Sequence, residues 1–168
     1  MPNKKQAESD KYFEVWELLA RTQHAMYNAR EMQLREYGIT PTQAYILLRV
    51  YQLNNKATQA QIANFIFRKQ NTVSVNVKRM EKQSLLKRNR NKNPKNLITL
   101  SLTKKGEEIY QKTLNRETIS NIMSSLSKEQ IEQLRDYLEI LFTAAANELA
   151  KFSNDSFLKN ILNNFSRT

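Results

Sequence analysis

The sequence predicts a mainly α-helical fold with a small β-wing: a winged helix-turn-helix flanked by N- and C-terminal dimerisation helices. Three observations predict it. First, the 168 residues include only two Gly and three Pro. That disfavours folds built on many tight turns and makes long helices the default. Second, the stretch Gln70 to Leu102 opens with helical periodicity and then becomes extended. Val73, Val77 and Met80 recur at helical spacing, which turns one face inward. After Leu86 comes the polar run KRNRNKNPKN, then LITLSL, which is rich in strand formers. Third, charge is concentrated. Arg68 to Lys105 holds twelve basic residues and one acid, Glu81, which accounts for the whole formal excess of +11. The rest of the chain carries fifteen residues of each sign. Charge kept for solubility would be spread, whereas a surface that meets a polyanion concentrates it.

The elements follow in order. Residues 1–10 read as a mobile arm, because MPNKKQAESDK has no apolar segment behind its lysines and no signal-peptide pattern. Residues 11–38 read as the N-terminal dimerisation helix. Phe13, Trp16, Leu19, Gln23, Tyr27 and Leu34 trace a stripe, and Gly38 stops it. Thr40-Pro41-Thr42-Gln43 is a helix start with a Thr cap, Pro at the first helical position and Gln three after the cap. Its helix should bury Ala44, Leu47, Val50 and Tyr51 and end near Leu53, before the loop Asn54 to Lys56.

Thr58 to Gln61 repeats the cap signature, and Ile62, Ala63 and Ile66 form the inner face of a short helix ending near Phe67. The turn Arg68-Lys69 leads to the Gln70 helix, which completes a helix-turn-helix. A first wing strand should run from Leu85-Leu86 to about Asn89, with its tip at Arg90 to Asn96. The return strand is Leu97 to Leu102, with Ile98, Leu100 and Leu102 pointing inward. The winged unit spans residues 39–103.

Residues 104–168 read as C-terminal dimerisation helices. Thr103 caps a helix running through Ile109, Leu114, Ile119 and Ile122 to about Ser125. Ser127 and Gln130 form another capping box, followed by a seam of Ile131, Leu134, Leu138, Leu141, Phe142, Ala145 and Leu149. Phe157, Leu158, Ile161, Leu162 and Phe165 outline a short amphipathic tail helix. Long helices at both ends exceed what a small winged core needs. A second copy of the chain is the economical way to bury their stripes. A two-fold dimer would present two reading helices to successive turns of one DNA face, about 34 Å apart.

Other classes are disfavoured. Without cysteine there is no disulfide, thiol chemistry or thiolate metal site. The longest apolar run, Ala44 to Leu48, falls far short of the roughly 20 residues a membrane span needs. A soluble cytoplasmic protein is expected, with no membrane partner. Phosphate-binding glycine loops and metalloprotease patterns are missing, and the one histidine, His24, has no catalytic company. Neither an enzyme, a cofactor nor a metal site is expected.

The expected partner is double-stranded DNA. Gln70, Asn71, Thr72, Ser74, Val75 and Asn76 occupy the front of the reading helix. Asn pairs with adenine, Ser and Thr with several base edges, and a methyl-bearing side chain with the thymine methyl. Lys78 and Arg79 lie further along and are assigned to phosphates, and Arg88, Arg90, Lys92 and Lys95 belong to the wing. Thr58 and Gln59, at a helix start, offer donors to a phosphate. Trp16, Tyr27, Tyr45 and Tyr51 are candidates for a small-molecule pocket where the first helix meets the winged unit, and each equally suits an aromatic core.

Several segments resemble the MarR (multiple-antibiotic-resistance regulator) family. They are ITPTQAYILL (Ile39 to Leu48), TQAQIANFI (Thr58 to Ile66), NTVSVNVKRMEKQSLL (Asn71 to Leu86), ITLSLTKKGEEIY (Ile98 to Tyr110) and LSKEQIEQL (Leu126 to Leu134). Their order and spacing agree from about Leu18 to Leu149. The resemblance implies a homodimer of triangular outline and a regulator, usually a repressor, relieved by a small phenolic or aromatic ligand or by oxidation. Three departures from the family pattern stand out. Asn91, Pro94 and Asn96 stand where the wing tip often carries two Asp and an Arg, Val75 stands where a basic residue is frequent, and there is no cysteine for redox sensing.

A sequence-specific DNA-binding regulator, acting as a repressor on a pseudo-palindromic operator, is the leading expectation. An architectural nucleic-acid-binding protein without sequence choice is the alternative. A third is an interaction module whose basic face meets an acidic protein.

Overall fold

The computed structural model describes residues 4–90 and 97–151. Seven helices and one hairpin form within them: α1 (Lys4–Arg35), α2 (Pro41–Gln52), α3 (Gln59–Phe65), α4 (Gln70–Lys82), β1 (Leu86–Arg90), β2 (Ile98–Leu102), α5 (Lys104–Thr113), α6 (Glu117–Met123) and α7 (Lys128–Lys151). The mainly helical architecture with a two-stranded antiparallel wing is the one the sequence predicts. Lys92, Lys95 and the expected tail helix at Phe157 to Phe165 lie outside the described residues.

Local chemistry sets the helix starts. Thr40 and Thr58 each form a full capping box, with the Thr hydroxyl accepting from the N–H of Gln43 or Gln61 and the Gln side chain returning to the Thr N–H. Thr103 accepts from Gly106 N at 3.0 Å, and Ser127 and Gln130 bond reciprocally at 3.2 and 2.9 Å. The first helix begins at Lys4, not at Lys11 as the sequence suggests, so part of the expected arm is helical. Nothing between Lys4 and Lys11 breaks a helix.

The core lies where α2, α3, α4 and the wing meet. Leu34, Ile46, Leu47, Val50, Ile62, Val73, Val77, Met80 and Leu100 are inaccessible to solvent. The inward face of α2 is rotated from the expected one. Ile46 is buried, while Tyr51 is 42% exposed and lies flat against Tyr110 at 4.4 Å between ring centroids. The wing pairs Leu86 with Leu102 through to Arg90 with Ile98. Leu100 N also donates to Ala57 O at 2.7 Å, so the second strand is flanked on both sides at that point. Thr99, Leu100, Ser101 and Leu102 are all buried, whereas Ile98 is exposed. Ile98 occupies the last pair before the tip, beyond the reach of the core.

The helix expected to run from Thr103 to Ser125 is broken after Thr113. Arg30 on α1 explains the break. Its guanidinium donates to Thr113 O at 2.7 Å and Asn115 O at 2.9 Å, fixing carbonyls that would otherwise bond within the helix. The Asn115 side chain accepts from Glu117 N at 3.2 Å and starts the next helix.

Candidate nucleic-acid interface

The α4 helix turns Val73, Val77 and Met80 into the core. The same periodicity carries Asn71, Thr72, Val75, Lys78 and Arg79 to the exposed face. Gln70 is exposed at the first turn. Ser74 and Asn76 sit on the flanks, half-buried, and Asn76 Nδ2 donates to Thr72 O at 2.9 Å. Val75 is 60% exposed, an apolar side chain in a polar and cationic surface. Among the described residues no acid pairs with Lys78 or Arg79.

The wing is braced to this helix. Arg88 Nε donates to Glu81 at 2.9 Å, joining the first strand to α4 through the one acid of the basic region. Arg88 is thereby partly occupied, whereas Arg90 is exposed at the end of β1. Thr58 has its side chain engaged in the α3 cap, and Gln59 follows it half-buried. The structure thus gathers Gln70, Asn71, Thr72, Val75, Lys78 and Arg79 on one outward surface, with Arg90 on the adjoining wing strand. Thr58 and Gln59 begin the preceding helix.

A cavity of about 300 Å³ lies between α1, α2, α5 and the start of α6. Leu34, Ala44, Leu48, Leu114 and Ile119 make its walls apolar, and Tyr45, Arg30 and Arg116 add polar groups. Burial is the main cause holding the Arg30 guanidinium below its ordinary pKa; the approach of Arg116 lowers it further, while Tyr45 and Tyr37 act the other way. Of the four aromatic residues expected here, Tyr45 lines the cavity. Tyr51 stacks on Tyr110, which does line it. The Tyr27 hydroxyl lies 3.3 Å from that of Thr42. Trp16 is 67% exposed on α1, outside the cavity lining.

Sequence reasoning passed over Arg30, Gln43, Gln83 and Lys105. Gln43 was visible only as a capping residue, yet it is buried and its side chain also reaches Gln83. The role of Arg30 carries no local signal, because the carbonyls it holds, those of Thr113 and Asn115, lie more than eighty residues away.

A family model described as the MarR family matches residues 37–95, which covers the helix-turn-helix and the first wing strand and stops before the second. Over these residues the chain is similar to the MarR family. Solved structures extend the likeness in fold beyond them. The transcriptional regulator SlyA superposes with a TM-score of 0.74 at 23% identity, over 83% of this chain and 99% of that one. The MepR–DNA complex of S. aureus gives 0.68 at 24% identity, over 76% and 94%. The organohalide-sensing regulator RdhR-CbdbA1625, bound to 2,4-dichlorophenol, gives 0.73 at 21% identity, over 84% of each chain. Among curated proteins, none matches the chain in sequence. The winged unit therefore sits here within a fold shared with these structures over 76–84% of this chain. No helix among the described residues is long and apolar enough to cross a membrane.

Proposed function

We propose that the protein is a sequence-specific DNA-binding transcriptional regulator of the cytoplasm, a repressor that binds a pseudo-palindromic operator as a homodimer. The observation that carries this reading is the outward face of α4. Asn71, Thr72 and Val75 offer three kinds of base-edge contact, and Lys78 and Arg79 follow them in a region whose charge is almost wholly positive. Two of the similar structures were solved with DNA, those of MepR and of a mutant MarR from E. coli bound to operator DNA.

Dimerisation is supported by what the chain leaves uncovered. Tyr12, Phe13, Val15, Trp16 and Leu18 on α1 are each 63–67% exposed, and Tyr137 and Ile140 on α7 are 62% and 65% exposed. That much apolar surface on two long helices fits burial against a second copy. The cavity supports release by a small aromatic ligand. Its apolar walls suit a ring, and Tyr45, Arg30 and Arg116 suit a phenolate or carboxylate.

The test is selection of bound duplexes from a random pool, followed by affinity measurements across salt concentration. The expected result is an inverted repeat with half-sites about one helical turn apart. Log K should fall by about 0.9 per phosphate neutralised as log salt rises. Equal binding of selected and random duplex at every salt concentration would refute the regulator and favour a coating protein. Loss of all duplex binding at moderate salt, with dimerisation intact, would favour an acidic protein partner.

A further inference from the structure

The C-terminal end of α4 is held from two sides, and both sides lead to the cavity. Gln83 is the C-cap of this helix. Its Nε2 donates to the Gly38 carbonyl at 3.2 Å, in the loop between α1 and α2. Its Oε1 accepts from Gln43 Nε2 at 3.1 Å. Gln43 is only 2% exposed, and its own Oε1 accepts from Thr40 N at 3.0 Å. In sequence it lies between Pro41 and Ala44, which both line the cavity.

From the other side, Lys105 Nζ donates to the Gln83 carbonyl at 3.0 Å, and Thr103 Oγ1 to the Ser84 carbonyl at 2.6 Å. The helix α5 runs on from these residues to Tyr110 and Thr113, which form the far wall. Ser84 itself has φ +58°. A non-glycine residue persists in that conformation only where its surroundings hold it.

An apolar side chain would fill the place of Gln43 without the desolvation cost of an amide. What an amide adds is geometry, because a buried hydrogen bond tolerates only a narrow range of distance and angle. We infer that the Gln43–Gln83 amide pair is the joint that transmits the state of the cavity to the reading helix, which makes both of them positioning residues for DNA recognition. A molecule that displaces Pro41 and Ala44 carries Gln43 with them. Gln83 follows, and the end of α4 turns relative to the wing that begins three residues later. The inference rests on the reading of α4 as the DNA-reading helix and adds its control.

A double-mutant cycle tests it without requiring the effector. Ala44→Leu extends a side chain into the cavity and stands in for a ligand. Gln83→Met keeps the length of the side chain and removes the joint. Affinity for the selected duplex is measured for the unsubstituted protein, each single variant and the double variant, with amide exchange of Arg79 to Leu85 followed alongside. Ala44→Leu should weaken binding about fivefold or more in the unsubstituted background, the lower end of allosteric couplings. In the Gln83→Met background it should change binding less than twofold. Exchange at the end of α4 should respond to Ala44→Leu only when Gln83 is present. Gln83→Glu, which keeps an acceptor for Gln43, stands in if the Met variant does not fold and should retain part of the response.

An equal effect of Ala44→Leu in both backgrounds overturns the joint, as does no effect in either. If the unsubstituted protein selects no duplex at all, the functional reading fails and the joint falls with it. A protein that selects a duplex but shows no coupling loses only the joint.

Discussion

Gly106→Ala adds one methyl group where the backbone has no space for it. Gly106 lies in the first turn of α5, with its N–H on the Thr103 hydroxyl at 3.0 Å. A Cβ built there would sit 2.0 Å from the Leu85 carbonyl oxygen and 2.9 Å from its carbon. A comfortable carbon–oxygen contact is about 3.3 Å. Both partners are backbone, so no rotamer relieves the overlap. The helix must move away from the chain leaving α4, which stretches the bond from Thr103 N to Leu85 O at 3.1 Å. Overpacking of this kind costs about 3 kcal/mol. Alanine returns about 1 kcal/mol relative to glycine within a helix. The net loss of about 2 kcal/mol should lower Tm by about 4–8 °C for a chain of this size.

Gly38→Ala is the matched control. Gly38 has φ +69° but nothing within 4 Å of the added carbon. Only the left-handed conformation is penalised, by about 1 kcal/mol, or about 2–4 °C. Thermal unfolding followed by circular dichroism at one protein concentration reads both variants, since a dimer couples Tm to concentration. If Gly106→Ala melts at or above Gly38→Ala, the close packing of α5 against Leu85 is not what fixes the base of the wing.

Two further outcomes are expected. Val75→Ala should weaken binding to the selected duplex about fourfold, the value of roughly one buried methylene, and the loss should vanish on a duplex with deoxyuridine in place of thymidine; an equal loss on both duplexes would show that Val75 does not touch a thymine methyl. Thr58→Ala should remove the α3 cap and lower Tm by about 2–4 °C, from about 1 kcal/mol, without changing the salt dependence of DNA binding; a flatter salt slope would return Thr58 to the phosphate contacts.

What could be read in the sequence was local. The caps at Thr40, Thr58, Thr103 and Ser127 need partners only three residues away, and all of them form. The buried face of α4 was equally legible, because Val73, Val77 and Met80 have no rival stripe. The α2 helix did have rivals. Ile46 and Tyr51 both suit an inward position next to Leu47 and Val50. The choice was made by tertiary packing, which buries Ile46 completely and leaves Tyr51 at the rim against Tyr110. The division of α5 from α6 was invisible for the same reason, since its cause is an arginine on α1. The Gln43–Gln83 pair lay beyond sequence reasoning too, since a glutamine in a capping box gives no sign that its other side faces a helix end forty residues on.

The long terminal helices show where local and distant causes separate most sharply. Residues 8–25 of α1 are all exposed, and of α7 only Ala146 is buried. Isolated helices of such length are marginal in water, and in folded proteins most helical stability comes from packing an apolar face. Within the described residues, residues 8–25 of α1 and most of α7 receive little of that packing from their own chain. On the proposed dimeric reading the aromatic stripe from Tyr12 to Trp16 would form the interface, and the two α4 helices would owe their separation to it. Arg30 then has a second consequence. It ties the half-buried end of α1 to the carbonyls at the end of α5, and so links the helix that on this reading meets a second copy to the helix that clamps the base of the wing. The cavity lies at that same junction, with Arg30 in its wall. On the proposed reading, a ligand placed there would bear at once on the spacing between two reading heads and on the tilt of each.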